Sequence, residues 1–141
     1  MNEVEIRAAT VDDLADIARI QAAAPEAPVW PPSSYLDYDC RVAVIECRVA
    51  GFLVTHKIAL DESEILNIAI DPAFRRQGIG RLLVDSGVSG AAQGTTWFLE
   101  VRESNLAAIN LYKTVGFSAT GRRKDYYHDP GEAAIVMRFH S

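Results

Sequence analysis

Hydrophobic and polar positions alternate, or recur with helical period, along most of this chain, and the period changes at identifiable breaks. Val4, Ile6 and Ala8 alternate with Glu3, Glu5 and Arg7, the pattern of a half-buried strand. Thr10 and Asp13 then form a capping-box-like pair, and Leu14, Ile17, Ala18 and Gln21 mark one helical face. Pro25, Pro28, Pro31 and Pro32 end that helix, so residues 24–39 read as a loop with a short helical turn at 33–36. Residues 41–46 and 49–58 read as a hairpin, and Asp61-Glu62-Ser63-Glu64 as an acidic turn. Residues 65–70 form an apolar strand stopped by Asp71-Pro72. A helix then runs from Arg81 to about Ala92, with Gly94 as its break. Gly87 and Gly90 inside it each weaken it by up to about 1 kcal/mol relative to alanine. Residues 95–101 are a strand, Ser104 caps a helix through Val115, and Gly116 stops it. Residues 117–121, extending toward Tyr127, and 133–139 make a last hairpin around Asp129-Pro130-Gly131. The order β-α-(loop)-β-β-β-α-β-α-β-β predicts an α/β chain, a mixed sheet with helices on its faces.

Length makes this one domain over residues 1–141, long enough to bury an ordinary core. No internal repeat or low-complexity tract interrupts it. The net charge of −5 disfavours a nucleic-acid binder held by phosphate contacts. Basic residues gather locally instead, at Arg75/Arg76/Arg81 and Arg122/Arg123/Lys124. Cys40 and Cys47 have no metal-ligand spacing and read as reduced thiols, and His56, His128 and His140 are scattered, so no metal is expected. The acidic start lacks the basic and apolar regions of a signal peptide, and no apolar run matches a bilayer span. A cytoplasmic protein with no membrane partner is the expectation.

One segment carries chemistry on its own terms. Arg75-Arg76-Gln77-Gly78-Ile79-Gly80-Arg81 lies between an apolar strand and an apolar helix. The first four N–H groups of a helix have no intrahelical partner, and together with the helix dipole they favour an anion. Bare glycines beside such a start let a phosphate approach the backbone. The loop lacks the G-K-[ST] ending of a Walker A motif, and Leu83 stands where G-x-G-x-x-G needs its third glycine.

Three segments together supply a family resemblance: I-A-I-D-P-x-F-R-R-Q-G-I-G-R, then L-E-V-R-E-S-N-x-x-A-I-N-L-Y from Leu99 to Tyr112, and Y-K-T-V-G-F from Tyr112 to Phe117. They resemble the GNAT superfamily of acetyl-CoA-dependent N-acetyltransferases, whose R/Q-x-x-G-x-G/A motif matches Arg75, Gly78 and Gly80. More narrowly, L-E-V-R-x-S-N, the R-R-x-x-Y-Y stretch at 122–127 and the A-x-x-M ending at 134–137 resemble bacterial ribosomal-protein-alanine N-acetyltransferases. The likeness is good over residues 60–139 and weak over the Pro-rich 24–40 stretch, which in such enzymes helps shape the acceptor groove. The helix after Gly80 is also short and glycine-rich for the family.

The resemblance implies a central, mostly antiparallel sheet with a splayed parallel pair, its fourth and fifth strands, and helices on both faces. It implies acetyl-CoA as co-substrate, its pyrophosphate on the backbone of Arg76, Gln77, Gly78, Ile79, Gly80 and Arg81. The pantetheine arm would pair with the main chain of Ile68, Ala69 and Ile70 and touch Asn105, whose alternative is the first turn of a helix capped by Ser104. A main-chain N–H there would polarise the thioester carbonyl. Glu100 is the implied general base, relayed by water, and Tyr112 the acid for the coenzyme thiolate. Trp97, Leu99 and Val101 share one face of their strand, and Phe98, Glu100 and Arg102 the other. A Glu100 salt-bridged to a basic neighbour and a Tyr112 serving as a core anchor are the structural alternatives. Glu64 reads as part of the solvated acidic turn, with attraction of a cationic acceptor as its other role. Glu103 reads as a helix-start charge, and Tyr126 and Tyr127 as groove-lining or strand-packing aromatics. The implied acceptor is a protein N-terminus, that of a small-subunit ribosomal protein. A lysine side chain or small amine is the alternative, and a non-catalytic acyl-CoA-binding module the rival from another class.

Overall fold

The computed structural model describes residues 3–24, 30–128 and 131–141. The expected prolines 25 and 28 of the first loop, and Asp129-Pro130 of the last turn, lie outside these. The elements run β1 (Val4–Ala8), α1 (Leu14–Ala22), β2 (Asp39–Ile45), β3 (Arg48–Ala59), β4 (Glu62–Ile70), α2 (Ile79–Ser89), β5 (Thr96–Arg102), α3 (Leu106–Val115), β6 (Ser118–Tyr127) and β7 (Glu132–His140). Three short 3-10 turns, Val11–Asp13, Pro32–Asp37 and Pro72–Phe74, join them. One seven-stranded sheet results, in the order β1-β2-β3-β4-β5-β7-β6. Every neighbouring pair is antiparallel except β4 and β5.

Two apolar clusters hold the layers. Ile17 and Ile20 of α1 pack with Tyr35, Val42, Phe52, Val54 and Ala69 on one side of the sheet. Ile79, Leu83 and Val84 of α2, with Ile109 and Tyr112 of α3, pack on the other against Leu53, Ile65, Trp97, Leu99 and Met137. Helices therefore cover both faces, as the resemblance implies. Each large side chain so buried contributes roughly 1.5–3 kcal/mol.

The parallel contact is short. β4 pairs with β5 only at Glu62↔Thr96, Ser63↔Trp97 and Glu64↔Phe98, and beyond Glu64 the two strands part. On its other side β4 stays paired with β3 as far as Gly51↔Ile70. The pairing with β3 slips by one residue, because Val54 faces Asn67 while the next residue, Thr55, faces Ile65. Leu66 is the extra residue of this bulge, which re-aims the side chains around it. Asn67 and Ala69 thus share the α1 face with Glu64, whereas Ile65 belongs to the α2/α3 core.

Four local expectations are corrected. Glu62, Ser63 and Glu64 belong to β4 and not to a turn, because strand pairing with β3 and β5 claims them. α2 begins at Ile79 with Gly78 as its N-cap, two residues before Arg81, and ends at Ser89 because Gly90 caps it. α3 is capped by Asn105, not Ser104: the Asn105 side chain accepts the Ala108 N–H at 3.2 Å. Leu14–Ala22 is preceded by the 3-10 turn Val11–Asp13, whose start carries the expected Thr10/Asp13 capping box.

Candidate active site

The splay between β4 and β5 opens two adjoining cavities that share Ile68, Asn105 and Ala108. One is lined in part by Asn67, Ile68, Glu100, Asn105, Tyr112 and Tyr127. The other, of about 410 Å³, is lined by Ile68, Ala69, Ile70, Arg75, Arg76 and Asn105 among others. That volume falls in the range of small-molecule sites, about 300–1,000 Å³. Glu100 on β5 and Tyr112 on α3, twelve positions apart in the chain, thus line one cavity. Asn105 stands at the join of the two.

β5 presents Glu100 because its alternation sends Leu99 and Val101 into the core. Glu100 Oε1 accepts a hydrogen bond from Arg123 Nη1 at 3.1 Å. Its Oε2 is buried and has no hydrogen-bond partner. The salt-bridge alternative and the base assignment therefore meet in one side chain, with one oxygen engaged and the other available. Tyr126 feels the same carboxylate, which raises its phenol above the ordinary value. Tyr127 is pushed up to about 12, first by burial and then by the charge of Glu100, and the Arg102 guanidinium lies 4.4 Å from its ring centroid.

Tyr112 is delivered by α3 and is almost wholly buried, its ring 5.7 Å from that of Phe117. Burial raises its phenol pKa strongly, with the neighbouring Tyr127 adding to the effect. The group keeps its proton well beyond neutral pH, as a proton donor to a thiolate must. Tyr112 is thus a core aromatic as well as a lining residue of the cavity. Asn105 has its Oδ1 held by the Ala108 N–H, which leaves its NH2 as the free end.

The loop before α2 is shaped for an anion. Arg76 has φ of +64° and Gly78 φ of +75°, both left-handed. Successive amides in such conformations form anion-binding concavities. A Cβ on Gly78 would meet nothing within 4 Å, so glycine is required there by backbone conformation and not by crowding. Gly80 differs: a Cβ there would lie 3.0 Å from Leu111, so its absence lets α2 approach α3. Ile79 is buried in the core and offers only its backbone. Gln77 is exposed, and Arg81 is exposed with Asp85 at 3.8 Å. Among the described residues, Arg75 and Arg76 have no carboxylate partner. These features fit a diphosphate group. On the splayed side, the main chain of Ile68, Ala69 and Ile70 has no β5 partner, a free strand edge for a ligand to extend.

Asp71, which terminates β4, is a residue the sequence reading used only as a stop. It accepts the Ala73 N–H at 2.9 Å and Arg19 Nη1 at 2.6 Å. These two interactions, the backbone one first, hold its carboxyl below the usual range and tie the start of the loop to α1. An Asp before Pro at a strand end is the sequence signal for such a capped turn. A second network was not legible. Asn67 donates to the Tyr35 hydroxyl at 2.9 Å, Tyr35 donates to Gln21, and Gln21 donates to the Trp30 carbonyl at 2.8 Å. It pins the segment after residue 30 to α1 and β4. Glu103 pairs with Arg122 at 2.6 Å instead of serving α3 alone.

A mixed sheet with one splayed parallel pair, a left-handed basic loop at a helix start, and a carboxylate and a phenol lining one cavity at the gap together set the class of this fold. Residues 11–117 match the model of the Acetyltransferase (GNAT) family, and the chain belongs to that family. It is 42% identical over 95 residues to the [ribosomal protein bS18]-alanine N-acetyltransferase of Escherichia coli, a match spanning 64% of this chain and 63% of that one. It is 32% identical to the putative enzyme of the same name from Bacillus subtilis over 94% of this chain and 92% of that one. The crystal structure of the E. coli ribosomal-protein-alanine enzyme superposes with a TM-score of 0.79 at 32% identity, covering 98% of this chain and 94% of the other.

Proposed function

We propose that the chain transfers the acetyl group of acetyl-CoA to an amine, most specifically the N-terminal α-amino group of a protein, by direct transfer within a ternary complex. The observation that carries this reading is the shared cavity of Glu100 and Tyr112 beside the loop at residues 75–81. The two relatives named for ribosomal-protein-alanine acetylation support a ribosomal protein N-terminus as the acceptor. The cytoplasm, where such acceptors are made, is the proposed location.

The coenzyme supplies an activated acetyl thioester. Arg75, Arg76 and the amides from Gln77 to Arg81 hold its diphosphate, and the free edge of β4 at Ile68, Ala69 and Ile70 aligns its arm, with Asn105 alongside. Glu100 Oε2 takes the proton that an incoming ammonium must lose before its nitrogen can attack. A terminal α-amino group, with a reference pKa near 8, needs only a weak base. As the bond from nitrogen to the acetyl carbon forms and the carbon–sulfur bond breaks, Tyr112 gives its proton to the departing thiolate and regains one from the second proton that the acylated nitrogen sheds; its burial keeps the phenol protonated until then.

The test is an acetylation assay with synthetic peptides bearing free N-terminal alanine or serine, or an internal lysine with a blocked N-terminus. Acetylation of the free alanine N-terminus above the blocked lysine peptide is the expected result. Preference for the lysine peptide overturns the N-terminal reading, and coenzyme binding without thiol release on any amine overturns the enzyme.

A further inference from the structure

We propose that Glu64 is a positioning residue for the acceptor, forming with Glu100 a two-carboxylate seat for its ammonium group. This rests on the reading of the chain as an amine acetyltransferase.

The geometry is set by the end of the parallel pairing. Glu64 is the last residue of β4 that registers with β5, opposite Phe98, and Glu100 is two positions further along β5. In-register parallel neighbours point to the same face, so Glu64, Phe98 and Glu100 share one side of the sheet. Glu100 lies just past the last paired position, and it is close enough that its charge acts on the Glu64 carboxyl. The face is the one carrying α1, which packs on β3 and β4. The splay begins at this point, and Ile65, the residue after Glu64, lines the cavity containing Glu100 and Tyr112.

The polar groups around this seat are incompletely matched. Glu64 is half-buried and forms no ion pair among the described residues. Burial, and then the charge of Glu100, hold its carboxyl above the usual range, while His56 acts the other way. His56 faces it from β3 in the strand register and touches Tyr38 edge-on at 5.0 Å. From β6, Arg123 engages only Oε1 of Glu100, and Tyr126 sits within the field of both carboxylates. From β7, Arg138 lies over the Phe98 ring at 5.6 Å. Two like charges on one face, one of them with a buried oxygen lacking any donor, are unfavourable until a cation with several N–H donors arrives. An ammonium has three such donors and one charge, which satisfies both carboxylates at once.

The experiment compares Glu64→Gln and Glu64→Asp with the unaltered protein, using a peptide with a free N-terminal alanine. In steady-state assays Glu64→Gln is expected to raise the peptide KM about tenfold while leaving kcat and the acetyl-CoA KM nearly unchanged. The acidic limb of its kcat/KM profile is expected to move to lower pH, because the high-titrating Glu64 carboxyl is gone. Glu64→Asp is expected to restore much of both, since it keeps the charge. Calorimetry provides a readout without turnover: the free peptide binds the unaltered protein more tightly than its N-acetylated form, and Glu64→Gln loses that difference. Unchanged peptide KM, pH limb and binding in Glu64→Gln overturn the seat while leaving the enzyme standing. A Glu64-dependent preference for the free amine with no acetyl transfer sustains the seat and overturns the enzyme.

Discussion

Arg123 and Glu100 are joined through one carboxylate oxygen only: Nη1 donates to Oε1 at 3.1 Å, and Oε2 lies buried without a donor. The pair comes from strands that are not neighbours, since β7 lies between β5 and β6. Its consequence is orientation more than stability. Arg123 is 58% exposed, so water screens much of the attraction. Arg123→Ala is expected to change unfolding free energy by less than about 1 kcal/mol in urea titrations. The same variant is expected to lower kcat/KM several-fold, because the carboxylate loses the contact that fixes which oxygen faces the cavity.

Tyr112→Phe separates the acid from the core anchor. The ring keeps its packing on Phe117, so coenzyme affinity and thermal stability are expected to stay close to those of the unaltered protein. Turnover is expected to fall about 10²-fold or more, the scale of a lost general acid. Stopped-assay kinetics beside coenzyme titration distinguish the two roles. Unchanged turnover returns Tyr112 to packing alone.

The raised pKa of Tyr112 also has a stability consequence. The folded state holds the phenol neutral, first by burial, whereas the unfolded chain ionises it near pH 10. Its contribution is therefore present in full below about pH 10 and is lost as pH rises toward the higher folded-state value. Urea unfolding of the unaltered protein is expected to weaken above that pH more steeply than that of Tyr112→Phe.

Asp71→Ala removes both the acceptor for the Ala73 N–H and the partner of Arg19. A cost of about 0.5–2 kcal/mol is expected from the lost cap, with a several-fold rise in the acetyl-CoA KM as the loop start loosens. Because the folded-state carboxyl titrates below its ordinary value, this stabilisation is present above about pH 4 and disappears as pH falls through the depressed value. The difference in stability between Asp71→Ala and the unaltered protein is accordingly expected to shrink in acid.

Gly78→Ala tests the anion loop by conformation alone. The added methyl meets nothing within 4 Å, so only the left-handed backbone resists it, at about 1 kcal/mol. Weaker coenzyme binding by calorimetry, with a small loss of stability, is the expected outcome. Coenzyme affinity equal to that of the unaltered protein removes the loop from the binding site.

Local pattern carried the element order, the β-α alternation and the loop between β4 and α2, because each is encoded in neighbouring residues. Where local signals competed, tertiary pairing decided. Glu64 sits in an acidic run that reads as a turn, yet ladders on both sides draw it into β4. Ser104 and Asn105 are both good caps, and only the path of α3 selects Asn105. The motif glycines look alike in sequence, but Gly78 serves a left-handed turn and Gly80 a helix contact, a distinction made by Leu111 on another element.

From its residues alone this chain specified a strand, a glycine-bearing basic loop and a helix start, together with one carboxylate and one phenol matched to a family pattern. Backbone conformation and side-chain periodicity act over a few residues, so they can be read in order along the chain. The folded molecule alone set the short β4–β5 contact, the bulge at Leu66, the shared cavity of Glu100 and Tyr112 at the resulting gap, and the Arg123 contact on Glu100. Such convergence depends on strand register and on which side chains the core excludes, and both arise only when distant segments pack together.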